Sequence, residues 1–497
     1  MNHAPVDAPV LTAAGLVPVV FEGPGAGSGP LSWGQIESWN AVTTLGHWMP
    51  IGGALPVRPG TTVEDLAGEL RHHLSRHPSL RTLLRIPPGG GTPTQEVHAS
   101  GSATLQVYDT RGADPSALAD LVAARFRDTP LDFTAEYPIR MAAVLHGGVP
   151  SHVVALISHF AADGAGAQAM LRDVAARPAA PVEGRQPLDQ ALWQLSPAGR
   201  RQNEAAQRHF ESILRTMPPA RFRKPVAARR PRYWRGVLDS AALPLALRAL
   251  TARTGADPSA VLLAVFALAV HATCGVDPVV VRPLVSNRFR PGLADVVCTA
   301  VQAGLCQVPV AAGVASAAGS ASGSTSGSAS GSVSGSASGS ASGSASGSAS
   351  AAGSAVGGGG FEGVLAHAKR ATMSAYKHAY FDQRDLFALV DRVGAERGER
   401  LEIGCFLNDR RDPSAGAGRP APTAGEIAAA LPGTVFDWTV RRDAPGFEPM
   451  ILDVEDTPGG LRCTAHTDTA HISPADTAAL LHHLERVAVT ASGARHG

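Results

Sequence analysis

From Ala315 to Gly360 the chain is almost nothing but Ser, Gly and Ala, much of it in a repeating Ser-Ala-Ser-Gly unit. No core can be built on such a stretch, because it buries too little apolar surface to offset the entropy of ordering it. A four-residue period without an apolar face also excludes a stacked solenoid. Residues 315–360 are therefore expected to form a disordered insertion, and whatever folds must be sought on either side of it. Lengthening a surface loop costs only about 0.6 kcal/mol per doubling, so one domain can carry the tract.

The remaining sequence is of ordinary globular type. Of 497 residues 44% are hydrophobic, and 43 Lys+Arg against 42 Asp+Glu leave a formal net charge of +1. That balance speaks against a general nucleic-acid binder and against an acidic tail. The cysteines, Cys274, Cys298, Cys306, Cys405 and Cys463, are odd in number and lack a C-x-x-C pair. Neither a disulfide framework nor a zinc site is indicated, and reduced thiols in the cytoplasm are expected. The N-terminus carries no basic-then-apolar leader. The longest apolar run, Ala260–Val270, is shorter than the ~20 residues a bilayer needs and reads as a buried helix. No membrane association is expected.

Helical periodicity and end signals place helices over Thr62–His77, Ser116–Phe126, Pro197–Met217, Pro258–Thr273, Phe361–His378 and Ser473–Val489. Alternating or β-branched runs predict strands at Val17–Phe21, Ile139–Leu145, His152–Ile157, Pro278–Val285, Gly304–Val310, Leu401–Leu407 and Leu461–His466. Two successive α/β stretches of similar content suggest two lobes. The expected division is a tail at 1–16, a first lobe at 17–172, a crossover at 173–231 and a second lobe at 232–490.

The sharpest constellation is SHFAADG, Ser158 to Gly164. A histidine ending an apolar strand, with Asp and Gly four and five residues on, presents an imidazole at a strand–helix junction. His159 is the candidate base, since histidine titrates near neutral pH. Asp163 is suited to fixing the loop through an internal ion pair, and Gly164 to close backbone approach at the helix start.

The setting of this motif resembles the condensation domains of nonribosomal peptide synthetases, members of the chloramphenicol-acetyltransferase-like acyltransferase superfamily. LSWGQIESW (Leu31–Trp39) looks like that family's first motif and RHPSLRT (Arg76–Thr82) its second. PLDFTAEYPIR (Pro130–Arg140) resembles the segment ahead of the active-site strand, and SHFAADG the motif H-H-x-x-x-D-G. LDQALWQLSPAGRRQNEAAQRHFESIL resembles the crossover helix, and Ser286-Asn287-Arg288 the Asn-Arg pair of the second lobe. The departures are Ser158 in place of the first histidine and a poorly kept later motif in VVCTAVQAGLCQV; the D-F-G-W-G of the plant acyltransferases in the same superfamily is absent too. Phe436-Asp437-Trp438 only echoes that last motif and reads as part of a strand.

The resemblance implies a mixed α/β fold of two chloramphenicol-acetyltransferase-like lobes, a V-shaped pseudo-dimer with an interlobe tunnel. It implies a stand-alone acyltransferase joining an acyl group, held as a phosphopantetheine thioester on a carrier protein or coenzyme A, to a small-molecule amine or alcohol. A monomer with no bound cofactor or metal is expected. Catalysis would rest on His159 and on backbone N–H groups around Gly164. Asp163 would be structural, paired with Arg288 or else Arg81, and Ser158 would be a substituted position at which histidine is accepted. The rival implication is a catalytically silent module that binds a carrier protein or recruits a tailoring enzyme.

Other features read more plainly. Glu69, His73 and His77 share a helix face, which a solvated surface explains as well as a metal would. His466 and His471 flank a strand end and read as solvated turn residues, or else as lining of an interlobe cleft. The basic run Arg221–Arg235 is either a solvated crossover or a dock for an acidic carrier protein. No phosphate loop or G-x-G-x-x-G follows a strand, so nucleotide chemistry has no support.

Overall fold

A computed structural model describes residues 11–177, 182–222, 228–311 and 358–494, save 413, 415, 417, 444, 445 and 447. Most of the expected tail and all of the Ser/Gly/Ala tract before Gly358 lie outside the described residues. The tract's last glycines open the helix Gly358–His378, which therefore starts earlier than its apolar pattern suggests.

The architecture is mixed α/β, and the chain divides into two units. The first gathers residues up to Glu204 with Ser286–Gln302 and Tyr380–Gln383, and the second takes the rest. This differs from the expected sequential division, because Ser286–Gln302, read as second-lobe sequence, is counted with the first unit.

In the first unit, β1 (Gly15–Glu22), β2 (Gly27–Pro30), β3 (Pro50–Pro56), β4 (Thr82–Arg85), β5 (Thr94–Val97), β6 (Ser100–Asp109), β7 (Ile139–His146) and β8 (Val149–Ser158) form two sheets. The larger runs β1-β6-β7-β8-β3, with β6 and β7 parallel and all other pairs antiparallel. Its residues alternate between two cores, as a strand's period of two requires. Met141, Ala143 and Ile157 pack with Leu66, Leu70 and Leu74 of the helix Val63–Arg76. Ala142, Val144, Val154 and Leu156 pack with Ala119, Val122 and Phe126 of the helix Pro115–Asp128. Held on both faces, β8 has a fixed register against β7 and β3, and this fixes where it ends.

The second unit's sheet sets Val279–Val285, Cys405–Asp409, Met450–Thr457, Gly460–Asp468, Tyr233–Ser240 and Val435–Arg442 side by side, with Cys306–Val308 antiparallel on Val279–Val285. Phe436-Asp437-Trp438 lies in a strand, as its pattern suggested. The helix Pro258–Cys274 is buried along nearly all its length, which accounts for its unbroken apolar run. Among the described residues no single helix is long and apolar enough to cross a membrane.

Candidate active site

The strand β8 ends at Ser158, and the next five residues carry the chain into the helix Gly164–Ala176. Ser158 is fully buried; its Oγ donates to the Trp48 carbonyl at 2.8 Å and accepts from the Phe160 N–H at 3.2 Å. The half-buried His159 donates its backbone N–H to the Met49 carbonyl at 3.0 Å. Its own carbonyl accepts from the Thr299 hydroxyl. The peptide on each side of the imidazole is thus tied to a neighbouring segment, so the side chain leaves from a fixed backbone.

Asp163 caps the helix. Its Oδ1 accepts from the Gly166 N–H at 2.7 Å and from Arg288 Nη2 at 2.6 Å, and its Oδ2 from the N–H groups of Ala300 (2.8 Å) and Val301 (2.9 Å). Four donors on a carboxylate only 2% exposed leave little capacity for proton transfer. Arg288 also donates to the carbonyls of Leu293, Val296 and Cys298. Burial opposes its charge, but Cys298 and Asp163 beside it hold its pKa above the ordinary arginine value. Asn287, at φ +59°, takes the left-handed turn that aims Arg288 inward, and its amide binds the Ala300 carbonyl at 2.9 Å.

Several of the motifs converge on one short segment, Val296–Val301. Ser79 of RHPSLRT donates to the Val297 carbonyl at 2.8 Å. Gln190 of the crossover motif donates to the Cys298 sulfur at 3.3 Å. Gly34 of LSWGQIESW packs so closely that a Cβ there would stand 2.2 Å from the Thr299 carbonyl oxygen. Ser32 caps the helix Trp33–Leu45 reciprocally with Gln35 and holds Gly34 in that contact. In PLDFTAEYPIR, Phe133 packs edge-on to Phe160 at 5.7 Å. Arg140 binds the carbonyls of Phe126, Thr129 and Pro130 and lies 5.1 Å over the Trp48 ring.

Three expectations are corrected. Arg81 does not meet Asp163; it is buried and donates to the carbonyls of Pro24 and His98. Gly164 is exposed with no protein atom near its missing Cβ, whereas Gly166 makes the close approach: a Cβ there would stand 2.7 Å from the Cys298 carbonyl oxygen. The row Glu69, His73, His77 is not a solvated face: His73 and His77 are buried, and Glu69 pairs with Arg177. Arg76 and the carboxylate of Asp173 are 2.6 Å apart, with His72 and His77 each 3.4 Å from the same oxygen. Among the described residues no group of three or more ligands is arranged to hold a metal.

Elsewhere, Arg221 is buried and donates to the Glu402 and Pro218 carbonyls, so the basic run begins inside the second unit. Residues 223–227 of that run lie outside the described ones. His466 is within a strand, 3.3 Å from Asp453, and His471 faces Glu402 at 3.5 Å. The hydrogen bond and charge of Glu402 raise the His471 pKa. The carbonyls of Trp48 and Met49, which hold Ser158 and His159, went unnoticed in the sequence. A backbone acceptor leaves no mark on residue type.

Fold and site define a mixed α/β protein with a histidine at the end of a strand and its following Asp locked to a distant Arg. The family model of the condensation domain matches residues 51–299, half of the 497-residue chain. The chain belongs to the condensation-domain family. It is 29% identical over 283 residues to the phosphinothricin tripeptide synthetase PhsC of Streptomyces viridochromogenes, covering 53% of this chain and 25% of that protein. It is 26% identical over 307 residues to the nonribosomal peptide synthetase kk1B of Curvularia clavata, covering 57% of this chain and 2% of that one. The matches thus span a quarter or less of the curated relatives' lengths. Among solved structures, the condensation domain of the enacyloxin polyketide synthase is similar at 18% identity (TM-score 0.61, 97% of this chain and 84% of that one). The X-domain from teicoplanin biosynthesis is similar at 16% identity (TM-score 0.61, 93% and 95%). At these identities the likeness is one of fold.

Proposed function

We propose that this chain transfers an acyl group from a phosphopantetheine thioester, on a carrier protein or coenzyme A, to the amine or hydroxyl of a small molecule. The acceptor attacks the thioester carbonyl carbon, the C–S bond breaks, and an amide or ester and a thiol are formed. His159 takes or steers the acceptor's proton and returns one to the leaving sulfur. The backbone N–H groups at the exposed start of the helix Gly164–Ala176 face developing negative charge on the carbonyl oxygen. Asp163, Arg288 and Ser158 hold the loop, and Arg81 supports the first unit away from it.

One observation carries the reading. Asp163 is saturated by four donors, so the ionisable side chain the motif leaves for chemistry is His159, half-buried on a backbone tied from both sides. The test is a single-turnover assay with acyl-loaded carrier protein or acyl-coenzyme A and a panel of amines and alcohols. His159→Ala should lower the rate roughly 10²–10⁴-fold while melting like the parent. Equal rates would remove His159 from the mechanism.

A second reading is a silent module that recruits another protein. The teicoplanin X-domain, seen in complex with OxyB, has this fold, and Ser158 here stands where the family's first histidine would be. No transfer by the parent across the whole panel would favour it.

A further inference from the structure

We propose that His47 is a positioning residue for His159, acting through the left-handed backbone of Met49. The helix Trp33–Leu45 stops at Gly46, and three residues, His47-Trp48-Met49, lead into β3. Met49 sits at φ +48°, a region that residues with a Cβ rarely adopt. It also directly precedes Pro50, whose ring restricts the residue before it. Such a conformation persists only where neighbours enforce it, and it clusters at sites where backbone aim matters.

The neighbours are identifiable. The Met49 N–H donates to Nδ1 of His47 at 3.1 Å, two residues back in the chain. This reproduces with an imidazole the local turn that Asn and Asp side chains make. The Met49 carbonyl, at the other end of the same residue, accepts the backbone N–H of His159. Trp48 between them is buried, anchored through its indole N–H to the carbonyls of Phe126 and Arg127 at 3.1 Å, and its carbonyl holds the Ser158 hydroxyl. His47 itself is exposed and contributes nothing to the core. An exposed side chain therefore sets the turn whose carbonyl sets His159.

The inference rests on the acyl-transfer reading only for its effect on turnover, so its primary test does not use activity. In full-length protein labelled at histidine, the His159 imidazole cross-peaks are assigned by their loss in His159→Gln. His47→Ala should shift them, and His47→Asn, which restores an acceptor for the Met49 N–H, should return them to the parent position. Turnover, where the parent shows it, should fall about tenfold in His47→Ala and recover in His47→Asn, because small displacements of a reacting group are costly. Met49→Gly guards against a general folding effect. Glycine enters φ +48° without a Cβ penalty, so in that background His47→Ala should move the His159 peaks much less. Unmoved peaks in His47→Ala, no recovery in His47→Asn, or an undiminished shift in the Met49→Gly background would each overturn the proposal. Peaks that behave as expected in a chain without turnover would leave the positioning intact and sink acyl transfer instead.

Discussion

Asp163 accepts two hydrogen bonds on each carboxylate oxygen, and this decides what its replacement does. Asp163→Ala removes the partner of the largely buried Arg288 and of three N–H groups. Breaking one side of a buried pair costs about 3–5 kcal/mol, so denaturant titration should show a loss of that order. A variant that melts like the parent yet loses all turnover would give Asp163 a chemical role. Ser158 behaves differently: Ser158→Ala forfeits two hydrogen bonds, one to the Trp48 carbonyl and one from the Phe160 N–H, and should cost about 1–3 kcal/mol. The acceptance of histidine implied by the family motif does not suit this chain. Ser158 has no exposed surface, and forcing an imidazole into a filled site costs about 1–3 kcal/mol, which a lowered Tm would reveal. The glycines separate stability from chemistry. Gly34→Ala and Gly166→Ala push a Cβ into the backbone of Thr299 and Cys298 and should lower Tm. Gly164→Ala meets open space and sits at a helix start, so Tm should hold or rise. If oxyanion and acceptor meet that helix start, Gly164→Ala lowers turnover nonetheless; undiminished turnover would move the oxyanion elsewhere.

The helices Val63–Arg76 and Gly164–Ala176 are joined by a cluster that responds to acid. His73 is held to a pKa of about 4, by burial and then by the nearby charge of His72. His77 is held to about 3, by burial and then by His73, with Asp173 opposing. Both start from an ordinary value of 6.5, so the unfolded chain takes up protons that the folded chain refuses. This contribution is therefore complete above pH 6.5 and is lost as pH falls from there through 4 towards 3. Tm measured from pH 7 to pH 4 should drop, and His73→Leu should flatten the drop; an equal slope in both would show that these imidazoles are not what acid attacks. Most such elements were legible in sequence. The stripe Leu66, Leu70, Leu74 and the capping pattern at Thr62 gave the first helix within a residue at each end. The burial of His73 and His77 was not legible, because it depends on a second helix distant in sequence packing over that face. β3 was missed for another reason: Pro-Ile-Gly-Gly-Ala-Leu-Pro has the composition of a turn, and only pairing with β8 makes it an edge strand. The site divides in the same way. His159 and Asp163 show as residue types at a spacing, whereas Val296–Val301 serves largely through its N–H and C=O groups, which leave its side chains unspecified.

Over the whole molecule, two hydrophobic cores belong to the first unit and one large core to the second. The large core takes residues from both sides of the Ser/Gly/Ala tract, with Val308 and Val310 before it and Phe361, Val364 and Leu365 after it. The tract therefore interrupts one core and does not separate two. Its composition offers that core nothing to bury, and halving the length of a connection changes closure entropy by only about 0.6 kcal/mol. Replacing residues 316–356 with a short Gly/Ser linker should give a chain that stays in solution and unfolds cooperatively within a few degrees of the parent Tm. The helix Gly358–His378 is the element most exposed to an over-short linker, because its buried face, Phe361 to Ala375, must still reach the helix Pro258–Cys274. A graded series of linkers separates the two outcomes. If the tract only connects, Tm falls for the shortest linkers alone and is level beyond them. A Tm that drops in proportion to the residues removed would show that the tract contributes to the fold itself, contrary to everything its composition predicts.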